Sequence, residues 1–205
     1  MRPRQFTDDE LLETARRCFL EHGPGVATSV IAGELGVSQA ALFRRCKTKQ
    51  ALMLQALAPP SRPPWLAGVE QGPDERPVPA QLREVLEGID SFFERMLPAI
   101  AVLRAAGMEP EQMLRKHELP PPLLAHRTLT EWFRRLHEQG RAHVPQPQST
   151  AMAFLGAIHA RHMLRHMLGE HSPRTEPCFL DNLVTLIFTR HDNIGSDTVD
   201  QSQGE

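Results

Sequence analysis

Two short helical periodicities meet at Gly36: Ile31 and Leu35 share one face before it, and Leu42 takes up the inward face after it. Gly36 supplies the tight turn, Val37 a buried plug, and Ser38 the cap of a helix running from Gln39 to about Arg44. The helix before the turn runs from Thr28 or Ser29 to Leu35, and its small Ala32 allows close approach of a neighbour. Two short helices joined through a glycine-containing turn make a helix-turn-helix, in which the first braces the second.

A third helix precedes this pair. Thr7-Asp8-Asp9-Glu10 has the form of a capping box, with Phe6 and Leu11 placed as a hydrophobic staple. Leu11, Leu12, Ala15, Cys18 and Phe19 recur at helical spacing until Gly23-Pro24, so the first helix is expected over Asp8 to His22. Charge is distributed unevenly around these helices. Residues 1–57 carry eight basic and six acidic side chains; all six acids lie at or before Glu34, and Arg44, Arg45, Lys47 and Lys49 follow as a cationic patch. The whole chain has net charge -2, which excludes a nonspecific basic coat for nucleic acid.

The first residues of the second helix in a helix-turn-helix enter the major groove. The outward positions there are Gln39, Ala40 and Phe43, with Ser38 at the helix start. Glutamine can pair with adenine N6 and N7, and a small alanine can meet a thymine methyl. Arg44, Arg45 and Lys49 are placed to hold phosphates, while Arg2 and Arg4 can reach the backbone or minor groove from an N-terminal arm.

The residues from Leu11 through Ala15, Phe19 and Gly23, then Ile31-Ala32 to Gly36-Val37-Ser38, then Ala41-Leu42-Phe43 to Thr48-Lys49-Gln50-Ala51-Leu52, resemble the DNA-binding head of the TetR (tetracycline-repressor-like) regulators. The resemblance implies that Lys49 contacts phosphate. It also implies a homodimer reading an inverted-repeat operator in double-stranded DNA, and a C-terminal domain that binds a small molecule. Three positions depart from the family pattern. Phe43 stands where a tyrosine is usual, Cys46 occupies a buried aromatic position, and the loop from Gly23 to Ile31 is one residue shorter, leaving Ala27 or Thr28 at the phosphate-contacting threonine position. These departures bear on affinity and operator sequence rather than on fold.

The remaining chain shows helical periodicities and no strand alternation, so the fold class expected is all-α. A fourth helix from Lys49 to about Ala58 completes a DNA-binding domain over residues 1–58, and Pro59-Pro60 ends it. Residues 59–81 are rich in proline and glycine and read as an extended linker or insertion, with Trp65 pinning it to the body. Residues 82–191 form a helical ligand-binding and dimerisation domain, with helices expected over Leu82 to Leu97, Pro98 to Ala106, around Glu111 to His117, Leu123 to Gln139, Ser149 to Leu168 and Glu176 to His191. Residues 192–205 form a polar tail.

The last two long helices carry apolar residues on more than one face, which calls for burial on more than one side. Leu155, His162, His166, Phe179, Leu183 and Ile187 are the residues expected at a subunit interface. Phe92, Phe93, Met96, Met108, Met113, Trp132, Phe133 and His159 are candidates for an apolar ligand pocket, because methionine-rich walls adapt to varied ligands. His159, His162 and His166 share a helix face, yet no acid on that face completes a metal site, so no metal and no cofactor are expected. Cys46 among cations invites a redox reading, but a packed, inert thiol is the preferred one.

No phosphate-cradling glycine loop, nucleophile elbow or HExxH pattern occurs, so the chain is not expected to be an enzyme. The longest apolar run, Ala151 to Ile158, is far short of the roughly 20 residues of a membrane span, and Asp8, Asp9 and Glu10 replace the apolar core of a secretory signal. A cytoplasmic transcriptional regulator, most simply a repressor released by a ligand, is the function these features imply. The alternative is a dimeric helical ligand-binding or protein-interaction module whose head, altered at Phe43 and Cys46, has lost operator recognition.

Overall fold

The computed structural model describes residues 6–109, 118–173 and 177–188. Among them it is all helical: α1 Asp8–His22, α2 Thr28–Leu35, α3 Gln39–Cys46, α4 Lys49–Leu57, α5 Leu66–Glu70, α6 Val78–Ala105, α7 Pro121–Glu138, α8 Pro147–Leu168 and α9 Phe179–Phe188. Arg2, Arg4, Met113, the helix expected around Glu111 to His117 and the polar tail lie outside the described residues.

Local chemistry sets the boundaries of the first four helices. Thr7 Oγ1 accepts from the Glu10 amide at 3.1 Å, and the Glu10 carboxylate accepts from the Thr7 amide at 2.8 Å, completing the capping box. Ser38 and Thr48 cap α3 and α4 by accepting from the amides of Ala41 and Ala51 at 3.2 and 3.0 Å. Gly36 sits at φ +68°, in the left-handed region, and lets the Val37 amide turn back to the Ala32 carbonyl at 2.9 Å. The apolar faces of α1 to α4 then meet in one core, with Ala15, Phe19, Ile31, Leu42 and Leu52 wholly buried.

α6 differs from the sequence reading. Its 28 residues run unbroken from Val78, four residues before the expected start, through Pro98, where a break was expected. Proline at the second position of a helix fits its first turn, which explains Pro79. Pro98 removes one internal hydrogen bond, and the cost is met by packing on both sides of it. Leu82, Leu86 and Ile89 lie in the core of the C-terminal helices, whereas Ala99 and Leu103 lie in the core of the head. At about 1.5 Å per residue, α6 is a rod of roughly 42 Å joining the two cores.

The segment between α4 and α6 is also more ordered than an extended linker. It contains α5, whose Leu66 and Val69 are buried, a single turn too short to register as a periodicity. Trp65 packs against α6 at Gly88, where a Cβ atom would come within 2.7 Å of the Trp65 Cβ. Gln81, buried at 4% exposure, accepts from the Asp74 amide at 2.9 Å and donates to the Asp74 and Arg76 carbonyls. Arg141 donates to the same two carbonyls. The loop is thus held by side chains of the body, which partner its backbone groups at Asp74 and Arg76.

Candidate nucleic-acid interface

α3 turns Leu42 and Cys46, one helical turn apart, into the head core, while Gln39 and Ala40 lie in its first turn and Phe43 beside the buried stripe. Gln39 and Ala40 are exposed. Phe43 is half-buried and packs against the head core, so only part of its ring faces solvent. Ser38 spends its hydroxyl oxygen on the cap. Thr28 is the first residue of α2, half-buried, with Ala27 before it in extended backbone. No side chain caps α2 at Ala27, and the Val30 amide of its first turn donates to the Ala27 carbonyl at 3.0 Å.

The cations behave differently from one another. Arg44 and Lys47 are exposed and Lys49 half-buried, and none of the three forms an ion pair among the described residues. Arg45 is engaged. It pairs with Asp8 at the start of α1, and its guanidinium lies 4.7 Å from the centre of the Phe6 ring. Sequence spacing gave no sign of this clasp, because the partners lie 37 residues apart.

Cys46 is 2% exposed, its thiol donates to the Leu42 carbonyl at 3.2 Å, and burial pushes its pKa up. A thiol held protonated this way is packing, not a redox sensor. The residue that replaces an aromatic in the head therefore fits its core.

The seven pocket candidates among the described residues are not gathered around one cavity. Phe133 is wholly buried in the C-terminal core between Trp132 and Phe154, and Met108 belongs to the core of the head. Trp132 reaches a shallow depression between α5 and α7, while Phe92 and Met96 line a cleft where α6 leaves the head. Phe93 packs against His159 with ring centres 5.1 Å apart and planes tilted by 55°. Aromatic and methionine residues serve core and pocket equally well, so composition alone cannot sort them.

The interface candidates divide similarly. Leu183 is 8% exposed in the core of its own chain, and His162 is 5% exposed with Nε2 2.8 Å from Asp90 Oδ1 on α6. The same carboxylate accepts from Arg161 at 2.9 Å. Neither Leu183 nor His162 is available to a partner. Leu155, Phe179 and Ile187 are half-buried and His166 is exposed. The large apolar side chains left in solvent on α8 and α9 are Met152, Leu164, Met167, Leu168, Leu186 and Phe188. Asp90 is shared by Arg161 and His162, His159 packs against Phe93, and no metal-holding group of His, Cys, Asp or Glu is present among the described residues.

A capped helix-turn-helix with an outward polar face, carried on a helical body, defines a DNA-binding transcriptional regulator. The comparisons with known proteins agree. The family model for bacterial regulatory proteins of the tetR family matches residues 11–56, and the model for the C-terminal domain of AefR-like transcriptional repressors matches residues 111–185. The chain belongs to the TetR family. A TetR-family regulator from Mesorhizobium loti has the same fold at 16% identity and a TM-score of 0.64, covering 87% of this chain and 91% of its own. PfmR from Thermus thermophilus matches at 21% identity and a TM-score of 0.57, covering 87% and 97%. AibR, solved with isovaleryl coenzyme A and operator DNA, matches at 18% identity and a TM-score of 0.50, covering 88% and 97%. No curated protein matches the sequence.

Proposed function

We propose that this chain is a homodimeric repressor that binds an inverted-repeat operator through residues 1–58 and is released by a small molecule bound to the larger helical part, residues 82–191. The observation that carries the reading is the surface of α3. Gln39 and Ala40 are exposed to meet base edges, and the cations Arg44, Lys47 and Lys49, which form no ion pair among the described residues, follow them for phosphates. Arg45 is assigned first to holding α3 against α1, and only secondarily to phosphate.

Dimerisation rests on α8 and α9. Met167 at 69% exposure, Leu186 at 65% and Met152 at 60% leave large apolar side chains of α8 and α9 in water, and a second copy is the cover the family fold supplies. These residues, with Leu164 and Leu168, replace Leu183 and His162 in the assigned interface. Two heads on a two-fold axis read two half-sites about one helical turn apart or a multiple of it, so a change in head spacing breaks the match. A ligand shifts that spacing by no more than its differential affinity for the two conformers. AibR, with an acyl-coenzyme A and DNA in one crystal, supports a ligand role for this fold.

The test is selection of bound duplexes from a random pool at about 0.15 M salt, where nonspecific binding is weakened. Enrichment of an inverted repeat is expected. No enrichment by a folded dimer would favour the module with a silent head.

A further inference from the structure

Between its two cores, α6 crosses a cleft of about 300 Å³ bounded by α1, the end of α4 and the loop that follows. Its walls are Pro60, Pro64, Phe92 and Met96, and two guanidinium groups, Arg16 and Arg95, stand at it. No carboxylate is among the lining residues.

Arg16 ties the head to the body. Its Nη1 donates to the Ala56 carbonyl at the end of α4 at 3.3 Å, and its Nη2 to the Arg95 carbonyl of α6 at 2.7 Å. The Arg95 guanidinium itself has no hydrogen bond or ion pair among the described residues. Burial, and then the charge of Arg95, hold the Arg16 pKa below its ordinary value. Two like charges therefore stand at one partly apolar cleft that no carboxylate lines. An anion placed between them removes the repulsion and gains charge-assisted hydrogen bonds. Arginine's planar fork suits a carboxylate in particular. The prolines, Phe92 and Met96 offer burial to an apolar body behind that carboxylate, and the cleft has room for roughly ten non-hydrogen atoms.

We propose that this junction cleft binds a small amphipathic carboxylate, its headgroup between Arg16 and Arg95 and its apolar part against Pro60, Pro64, Phe92 and Met96. Such a ligand bridges α1 of the head to α6 of the body and fixes one head orientation. The proposal rests on the ligand-released repressor reading, names the chemical class of the effector, and moves its place from within residues 82–191 to the junction, where Phe92, Arg95 and Met96 supply one wall. Its binding step is measurable without DNA.

Octanoate is the probe. Titrated calorimetrically into the full chain, it should saturate one site per chain with a Kd on the order of 0.1 mM, as about ten non-hydrogen atoms at modest efficiency allow. 1-Octanol, with the same chain and no charge, should bind at least about tenfold more weakly. Arg95→Glu should weaken octanoate at least about tenfold; Arg95 is exposed, and its side chain holds nothing else in place, so the fold is retained, as circular dichroism will verify. Absence of saturation into the millimolar range, equal binding of 1-octanol, or unchanged binding to a folded Arg95→Glu variant would each overturn the proposal. Failure of duplex selection with octanoate still bound would instead count against the repressor reading alone.

Discussion

Arg45 near the end of α3 is ion-paired with Asp8 at the start of α1, so one of the cations proposed to hold phosphate is already engaged within the fold. Both groups are largely exposed, and such pairs contribute about 0–1 kcal/mol to stability. The pair therefore matters more for how strongly Arg45 can meet a phosphate than for whether the head folds.

Asp8→Asn should accordingly tighten DNA binding several-fold at low salt, with little change in melting temperature. Asp9→Asn, which removes the same charge from the neighbouring exposed position, is the control and should have a smaller effect. Fluorescence anisotropy on a fixed duplex compares them; equal effects would show general charge rather than release of Arg45.

Gly88→Ala tests the anchoring of the segment after α4. In an open helix this change stabilises by about 1 kcal/mol. Here the new methyl meets Trp65 Cβ at 2.7 Å, and overpacking of this kind costs about 1–3 kcal/mol. Denaturant unfolding should show net destabilisation, and a stabilised variant would contradict the packing of Trp65 on α6.

Glu131 on α7 sits beside Arg134 at 2.6 Å and Arg135 at 3.0 Å, and these hydrogen bonds, Arg134 first, bring its pKa from 4.5 to about 2. A carboxyl depressed in the folded state contributes stability that is present above pH 4.5 and is lost as pH falls through about 2. Because the site is solvent-exposed, the contribution is under about 1 kcal/mol. Glu131→Gln should thus be slightly less stable than the parent near neutral pH, with the difference closing between pH 4.5 and 2. A difference that grows on acidification would refute the assignment.

Leu164→Glu combined with Met167→Lys places charges among exposed apolar residues of α8 that make no part of the chain's own core. The parent should sediment as a dimer at micromolar concentration and the variant as a folded monomer. A monomeric parent, or a variant that remains dimeric, would move the interface off α8.

The head was almost fully legible in the sequence because its signals are local. Thr7, Ser38 and Thr48 cap helices within three residues, and Gly36 marks its turn by backbone conformation. What the sequence hid was set by distant partners. Asp90 reaches His162 across 72 residues, Trp65 finds Gly88 on α6, and Met108 returns to the head core. Pro98 reads as a break by local rules, but tertiary packing on two cores outweighs one lost hydrogen bond. Apolar residues divided between core, cleft and subunit surface have the same composition in each place, and only the assembled helices separate them.

The central claim is that α3 reads DNA bases, and repeating the duplex selection in parallel for the parent and Gln39→Ala tests it most directly. The account predicts an inverted repeat for both, with preference at one or two positions of each half-site relaxed in the variant. A folded parent that enriches no repeat, or a variant whose base preferences are indistinguishable from the parent's, would contradict it.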